Sequence, residues 1–106
     1  MTANSKLIGK WRITEADLWD QEHLELVGPA FLLIQGDGRG EIAFGALSAG
    51  LDLEYAPGMV FFTWSGFDEM DEVSGSGSAE LAEDSTLHIE FAYHLGDEAE
   101  LKAQRW

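Results

Sequence analysis

The stretch Leu87-His88-Ile89-Glu90-Phe91-Ala92-Tyr93-His94-Leu95 alternates large apolar side chains with smaller or polar ones. Successive side chains of a β-strand point to opposite faces, so this period of two predicts a strand with one buried face. Similar short segments recur at roughly 8–12-residue spacing, separated by turn signals such as Pro57-Gly58 and Gly96-Asp97. The pattern predicts an all-β, antiparallel up-and-down β-barrel of about eight short strands, formed as a single domain by residues 1–106.

Two segments depart from this alternation. Residues 17–27 carry apolar side chains at helical spacing and predict one short helix after the first strand, with Asp17 as its N-cap and Gly28-Pro29 beyond its end. Residues 75–82 are rich in glycine and serine, and predict a weaker strand at a bend or bulge. No connection is long enough for a crossover, so sequential hairpins are the expected topology.

Composition restricts the classes of partner. The chain has 6 Lys and Arg against 20 Asp and Glu, a formal net charge of −14. Charge of this sign repels phosphate backbones and anionic lipid surfaces, so we expect neither nucleic-acid nor membrane binding. The absence of cysteine excludes disulfides and thiolate-based zinc sites. With no apolar leader and no apolar run of membrane-spanning length, a soluble cytoplasmic protein is the expectation.

The first and last strands carry a family resemblance. Gly9-Lys10-Trp11, followed at the end of the last strand by Arg105, resembles the signature of the calycin superfamily, which includes lipocalins and avidins. The resemblance implies a closed barrel in which Trp11 plugs one end and Arg105 packs across it. Ile13 occupies the position of the biotin-binding Asn of avidins, so biotin binding is not implied. Residues 22–31, Phe44-Gly45 and residues 94–97 also resemble a family of small uncharacterised bacterial proteins, which implies no particular activity.

Aromatic residues supply the main candidate ligand site. Phe62, Trp64 and Tyr93 are expected to face the barrel interior, with Trp19 or the loop at Phe67 as a lid. The hypothesis that follows is a non-enzymatic protein that binds a small apolar or amphipathic molecule in a cavity larger than about 300 Å³. The competing interpretation is a filled core, because an eight-stranded barrel is only just wide enough for its own side chains. The inward residues expected to fill it include Phe31 and Leu33.

The acidic run Asp68-Glu69-Met70-Asp71-Glu72 is the most highly charged segment. It is too charged for a core element and predicts an exposed loop. Its four carboxylates, on Asp68, Glu69, Asp71 and Glu72, are candidates for binding a basic protein partner. The run lacks the alternating ligands and the glycine of an EF-hand loop, so no metal site is predicted.

An outward apolar stripe predicts self-association. If Phe62 and Trp64 face inward, then Met59 and Phe61 face outward, and Leu32 and Ile34 are expected to do the same on the second strand. Exposed apolar stripes commonly mark interfaces, so a homodimer is expected. The alternative to a ligand-binding barrel is therefore an acidic protein-interaction module or a homodimer with no ligand cavity.

No constellation of catalytic side chains is recognised in the sequence. His88 and His94 share a face of one strand but lie roughly 20 Å apart at ~3.3 Å per residue, too far to bind one metal ion. No nucleophile accompanies either histidine, so no catalytic residue and no cofactor are predicted. A non-enzymatic protein is the expectation.

Overall fold

The computed structural model describes residues 7–17, 20–25, 28–94 and 96–106, and their strands close into an antiparallel barrel. Each strand pairs with its neighbours in the sequence, and the last pairs with the first. The predicted up-and-down barrel is therefore confirmed. Its elements are β1 (Gly9–Ala16), α1 (Gln21–Leu24), β2 (Phe31–Ile34), β3 (Arg39–Phe44), β4 (Leu47–Ala56), β5 (Met59–Asp68), β6 (Asp71–Leu81), β7 (Leu87–Tyr93) and β8 (Glu98–Arg105).

Register determines which side chains form the core, because residues paired across neighbouring strands share a face. Trp11 pairs with Leu32, and Leu32 pairs with Ile42, and all three side chains are buried. The same inward parity continues around the barrel through Leu51, Trp64 and their partners. Full burial of one large apolar side chain contributes roughly 1.5–3 kcal/mol, so this single core supplies most of the stabilising free energy.

Strand β2 corrects four of the predicted orientations. Leu32 and Ile34 were expected on the outer face, but each is only 1% exposed. Phe31 and Leu33, expected inside, are partly exposed on the outer face. A run of four apolar residues carries no period of two, so its parity is set by register with the strands on either side. Leu32 and Ile34 therefore belong to the core and cannot contribute to a dimer surface.

Two glycines of β6 face inward and make room for aromatic rings. Gly75 pairs with Trp64, and Gly77 pairs with Phe62. A Cβ at Gly75 would lie 2.8 Å from two indole carbons of Trp64, and one at Gly77 would lie 2.7 Å from Cζ of Phe62. Strand β6 pairs in continuous register with both neighbours. The bulge predicted as one possibility for this segment is therefore absent, and its inward glycines accommodate the core.

Helix α1 covers part of one end of the barrel, which we call the helix end. Its N-cap is Asp20, whose Oδ1 accepts a hydrogen bond from the His23 backbone N–H at 2.9 Å. Leu24 is fully buried, and its carbonyl accepts a hydrogen bond from the Gly45 N–H at 2.8 Å. The helix is thus attached to the turn that joins β3 to β4. Within the described ranges, no helix is long and apolar enough to cross a membrane.

Asp17, the predicted N-cap, has a different role. Its Oδ1 accepts a hydrogen bond from the Glu100 N–H at 2.9 Å, and its own N–H donates to the Glu100 carbonyl at 3.0 Å. These bonds extend the pairing of β1 with β8 beyond the end of β1. The prediction was wrong because an aspartate that ends a strand has the same local sequence signal as one that begins a helix.

Candidate functional site

The opposite end of the barrel, which we call the closure end, contains the two residues singled out by the calycin resemblance. Trp11 and Arg105 are direct partners across β1 and β8. The guanidinium carbon of Arg105 lies 4.2 Å from the centre of the Trp11 ring, and its Nη1 donates to the Ile8 carbonyl at 2.8 Å. The indole N–H donates to the Leu7 carbonyl at 2.9 Å. A cation–π contact of this kind contributes roughly 0.5–2 kcal/mol, which supports a structural role.

The aromatic side chains that were candidates to line a cavity instead pack against one another. Trp64 stacks on Phe91 with ring centres 4.5 Å apart, and Phe44 meets Phe91 edge-on at 5.2 Å. Phe62 lies 6.4 Å from the same ring. Phe62 and Trp64 are only 4% and 3% exposed. The middle of the barrel is therefore filled by these rings.

Tyr93 continues this cluster towards the helix end, where it is only partly buried. Its ring meets the Trp64 ring edge-on, with ring centres 5.1 Å apart. Burial raises the pKa of the phenol to about 12, and the negative charges of Asp68 and Asp97 add to the shift. An open hollow of about 460 Å³ lies beside the ring, between the ends of β6 and β7. The proposed lid residue, Trp19, lies outside the described residues.

The acidic run is a hairpin, which corrects the predicted loop. Strand β5 continues to Asp68 and β6 begins at Asp71, and these two residues pair directly. Between them Glu69 and Met70 form a two-residue turn with φ of 51° and 77°. All four carboxylate residues of this hairpin are exposed or partly exposed, so their charges keep contact with water and do not prevent strand formation. No group of three or more metal-ligating side chains occurs among the described residues.

The outer face of β5 is uncharged along its whole length. Phe61 is 47% exposed and Phe67 is 58% exposed, whereas Met59 is partly buried. Thr63 and Ser65 lie between the two phenylalanines on the same face. Sequence alternation gave the outward orientation of Met59 and Phe61. The same alternation places Phe67 on the outer face, although the charged residues that follow it had predicted a loop there.

The feature that sequence reasoning missed is an open groove of about 600 Å³ on the outside of β5–β8, here called the outer groove. The outward side chains of its floor are small except for Glu90, and the buried residues between them lie beneath. Phe61 pairs with Ser78, Ser78 with Glu90, and Glu90 with Glu100. The groove is lined by Asp17, Phe61, Phe62, Ser76, Gly77, Ser78, Glu90, Phe91, Ala92, Glu98, Ala99 and Glu100.

Negative charge concentrates along one side of the outer groove. Asp17, Glu90, Glu98 and Glu100 all line it. Among the described residues, His88 Nε2 lies 3.8 Å from Glu100, and Lys102 lies beside His88 as its partner across β7 and β8. Within the described parts of the chain, neither Glu90 nor Glu98 forms an ion pair. The arrangement can attract a cation and offers an apolar contact at Phe61.

Comparisons with protein-family models, with curated proteins and with solved structures find no match to this chain. The family resemblance therefore rests on the residues at the closure end and on the strand order.

Proposed function

We propose that this protein is a non-enzymatic protein-interaction module that binds a cationic partner on the outer surface of a calycin-like barrel. The observation that carries the proposal is the combination of a filled interior with an open acidic groove outside. An internal carrier needs space between its aromatic rings, and here Trp64 and Phe91 are in contact. A groove on the outer face leaves the core intact when a partner binds.

The charge of the chain favours a basic partner. A net charge of −14 on 106 residues produces a negative field that extends about 10 Å at 0.1 M salt. Such a field accelerates the encounter with a positively charged protein and slows the encounter with another acidic one. The predicted homodimer through Met59 and Phe61 has to overcome this repulsion, whereas a basic partner benefits from it.

A second candidate is the binding of a small apolar or amphipathic molecule at the helix end. The observation in its favour is the hollow of about 460 Å³ beside Tyr93, lined also by Glu72, Val73, Ser74 and His94. This site requires no opening of the core. A ligand seated there would contact the ring of Tyr93, which itself contacts Trp64.

Two probes separate the candidates. We expect a fluorescently labelled oligolysine peptide to bind at low ionic strength and to dissociate as salt rises above about 0.2 M. A neutral apolar dye such as Nile red is expected to leave tryptophan emission unchanged. If the dye binds with one-to-one stoichiometry, shifts tryptophan emission and is lost in Tyr93→Ala, while the peptide does not bind, the interaction proposal fails and the small-molecule candidate replaces it. Native mass spectrometry of the same samples measures the subunit number.

A further inference from the structure

We propose that the outer groove binds an extended segment of a partner protein in which lysine or arginine residues alternate with apolar residues. This inference rests on the proposed function, because it names the part of a cationic partner that the outer surface recognises. It follows from three properties of the groove: its two chemically different walls, its small floor, and a pair of facing carboxylates.

The two walls differ in chemistry. Phe61 on β5 forms an apolar wall and is 47% exposed, and Glu98 and Glu100 on β8 form an acidic wall. Three strand spacings of ~4.8 Å separate β5 from β8, which places the walls about 14 Å apart along the sheet. Successive side chains of an extended segment point in opposite directions. One set would therefore reach Phe61 while the alternate set reaches the carboxylates.

The backbone of a bound segment can lie on the floor of the groove, but it cannot pair with the sheet as an additional strand. Ser76, Ser78 and Ala92 are small, so a segment can lie close to the sheet between the walls. The backbone groups of β6 and β7 are already paired with each other from Gly75 to Leu81. The segment would therefore be recognised by side chains and by the two serine hydroxyls, which can both donate and accept hydrogen bonds.

Facing carboxylates favour a cation in the groove. Glu90 and Glu100 are direct partners across β7 and β8. Like charges at directly opposed positions on neighbouring strands destabilise the pair. Two basic side chains border this pair on one side: His88, whose Nε2 lies 3.8 Å from Glu100, and Lys102, which pairs with His88 across β7 and β8. A lysine or arginine between the two carboxylates would remove this repulsion on binding, which gives the groove a preference for a cation over a neutral polar group.

The test uses two peptides of identical composition. One alternates lysine and leucine, and the other has all lysines before all leucines. Binding is measured by fluorescence anisotropy at low salt to the unaltered protein, to Glu98→Gln/Glu100→Gln and to Phe61→Ser. The matched controls are Glu22→Gln/Glu41→Gln, which makes the same change in net charge away from the groove, and Phe67→Ser on the same face of β5.

We expect the alternating peptide to bind more tightly than the segregated one. Each groove variant should weaken its binding about fivefold or more, and each control by less than about twofold. The groove proposal is overturned if the two peptides bind with equal affinity, or if the groove and control variants lose equal affinity for the alternating peptide. Either result would still be compatible with a general interaction with basic partners. Failure of both peptides to bind at low salt overturns the proposed function as well. All altered side chains are on the outer surface, and circular dichroism verifies that each variant is folded.

Discussion

Replacing Gly75 by alanine should destabilise the barrel, because this glycine is surrounded by the core and by the next strand. An added Cβ would lie 1.9 Å from the Ala92 carbonyl oxygen and 2.8 Å from two indole carbons of Trp64. The same oxygen accepts the hydrogen bond of the Trp64 indole N–H at 3.1 Å. The methyl group would therefore displace both the indole and the β7 backbone, which is held by pairing on both sides.

The expected cost is about 2 kcal/mol. Overpacking a well-filled core costs roughly 1–3 kcal/mol. Restriction of the unfolded chain by alanine offsets about 0.4–1 kcal/mol of that. The displaced group here is backbone rather than the end of a flexible side chain, so we place the overpacking cost near the top of its range. A loss of this size should lower Tm by about 10 °C in a domain of this length.

Gly50→Ala is the matched control. Gly50 lies on the outer face of β4, and a Cβ there would have no heavy atom within 4 Å. We expect this variant to keep its stability or to gain up to about 1 kcal/mol. Urea unfolding followed by tryptophan fluorescence and far-ultraviolet circular dichroism measures both variants. Equal midpoints for the two variants, with unchanged native tryptophan emission in Gly75→Ala, would refute the packing argument.

Three further perturbations test other parts of the structure. In urea unfolding, Arg105→Gln should lose about 1–2 kcal/mol of unfolding free energy, because it removes the contact with the Trp11 indole and the hydrogen bond to the Ile8 carbonyl. The control Arg39→Gln should lose less than about 0.5 kcal/mol, because the 3.9 Å ion pair of Arg39 with Asp52 is exposed. Similar losses in the two variants would contradict the closure role of Arg105. Tyr93 has a pKa raised from 10.0 to about 12 in the folded state, so the unfolded chain loses this proton first. The contribution of Tyr93 to stability should be constant below about pH 10 and fall by about 1 kcal/mol towards pH 12 after allowance for partial exposure. Tyr93→Phe should remove that part of the pH dependence, and the late ionisation of Tyr93 should disappear from the tyrosinate absorbance of this variant. An identical titration of the two proteins would exclude the burial effect. Asp20→Ala should accelerate amide exchange at His23 about fivefold through loss of the cap, with Asp20→Asn close to the unaltered protein; no change in exchange would mean that the cap is unimportant.

The strands that alternate cleanly were predictable from the sequence. In β7 and β5, large apolar residues follow a period of two, and the inward positions Phe62, Trp64 and Phe91 are buried as that period requires. Pro57-Gly58 forms a turn where the sequence indicates one, and Gly58 has the positive φ of 73° that such a turn needs. These features depend on residues close together in the chain.

The remaining features depended on contacts between distant residues. The parity of β2 follows from pairing with Trp11 and Ile42, because its four apolar residues do not distinguish one face from the other. The acidic hairpin can form because its carboxylates keep contact with water at the helix end of the barrel. The outer groove brings Phe61 and Glu100 to one surface across two intervening strands, and no local pattern relates residues so far apart in the chain.

The sequence by itself determined an antiparallel barrel, its approximate strand boundaries and a strongly negative charge. Period-two alternation and turn residues are local properties, and charge is a sum over the composition. The tertiary structure decided that the core is filled and that a groove with one apolar and one acidic wall lies outside it. Both depend on register around a closed sheet, because register alone determines which ring meets which glycine and which carboxylate faces which.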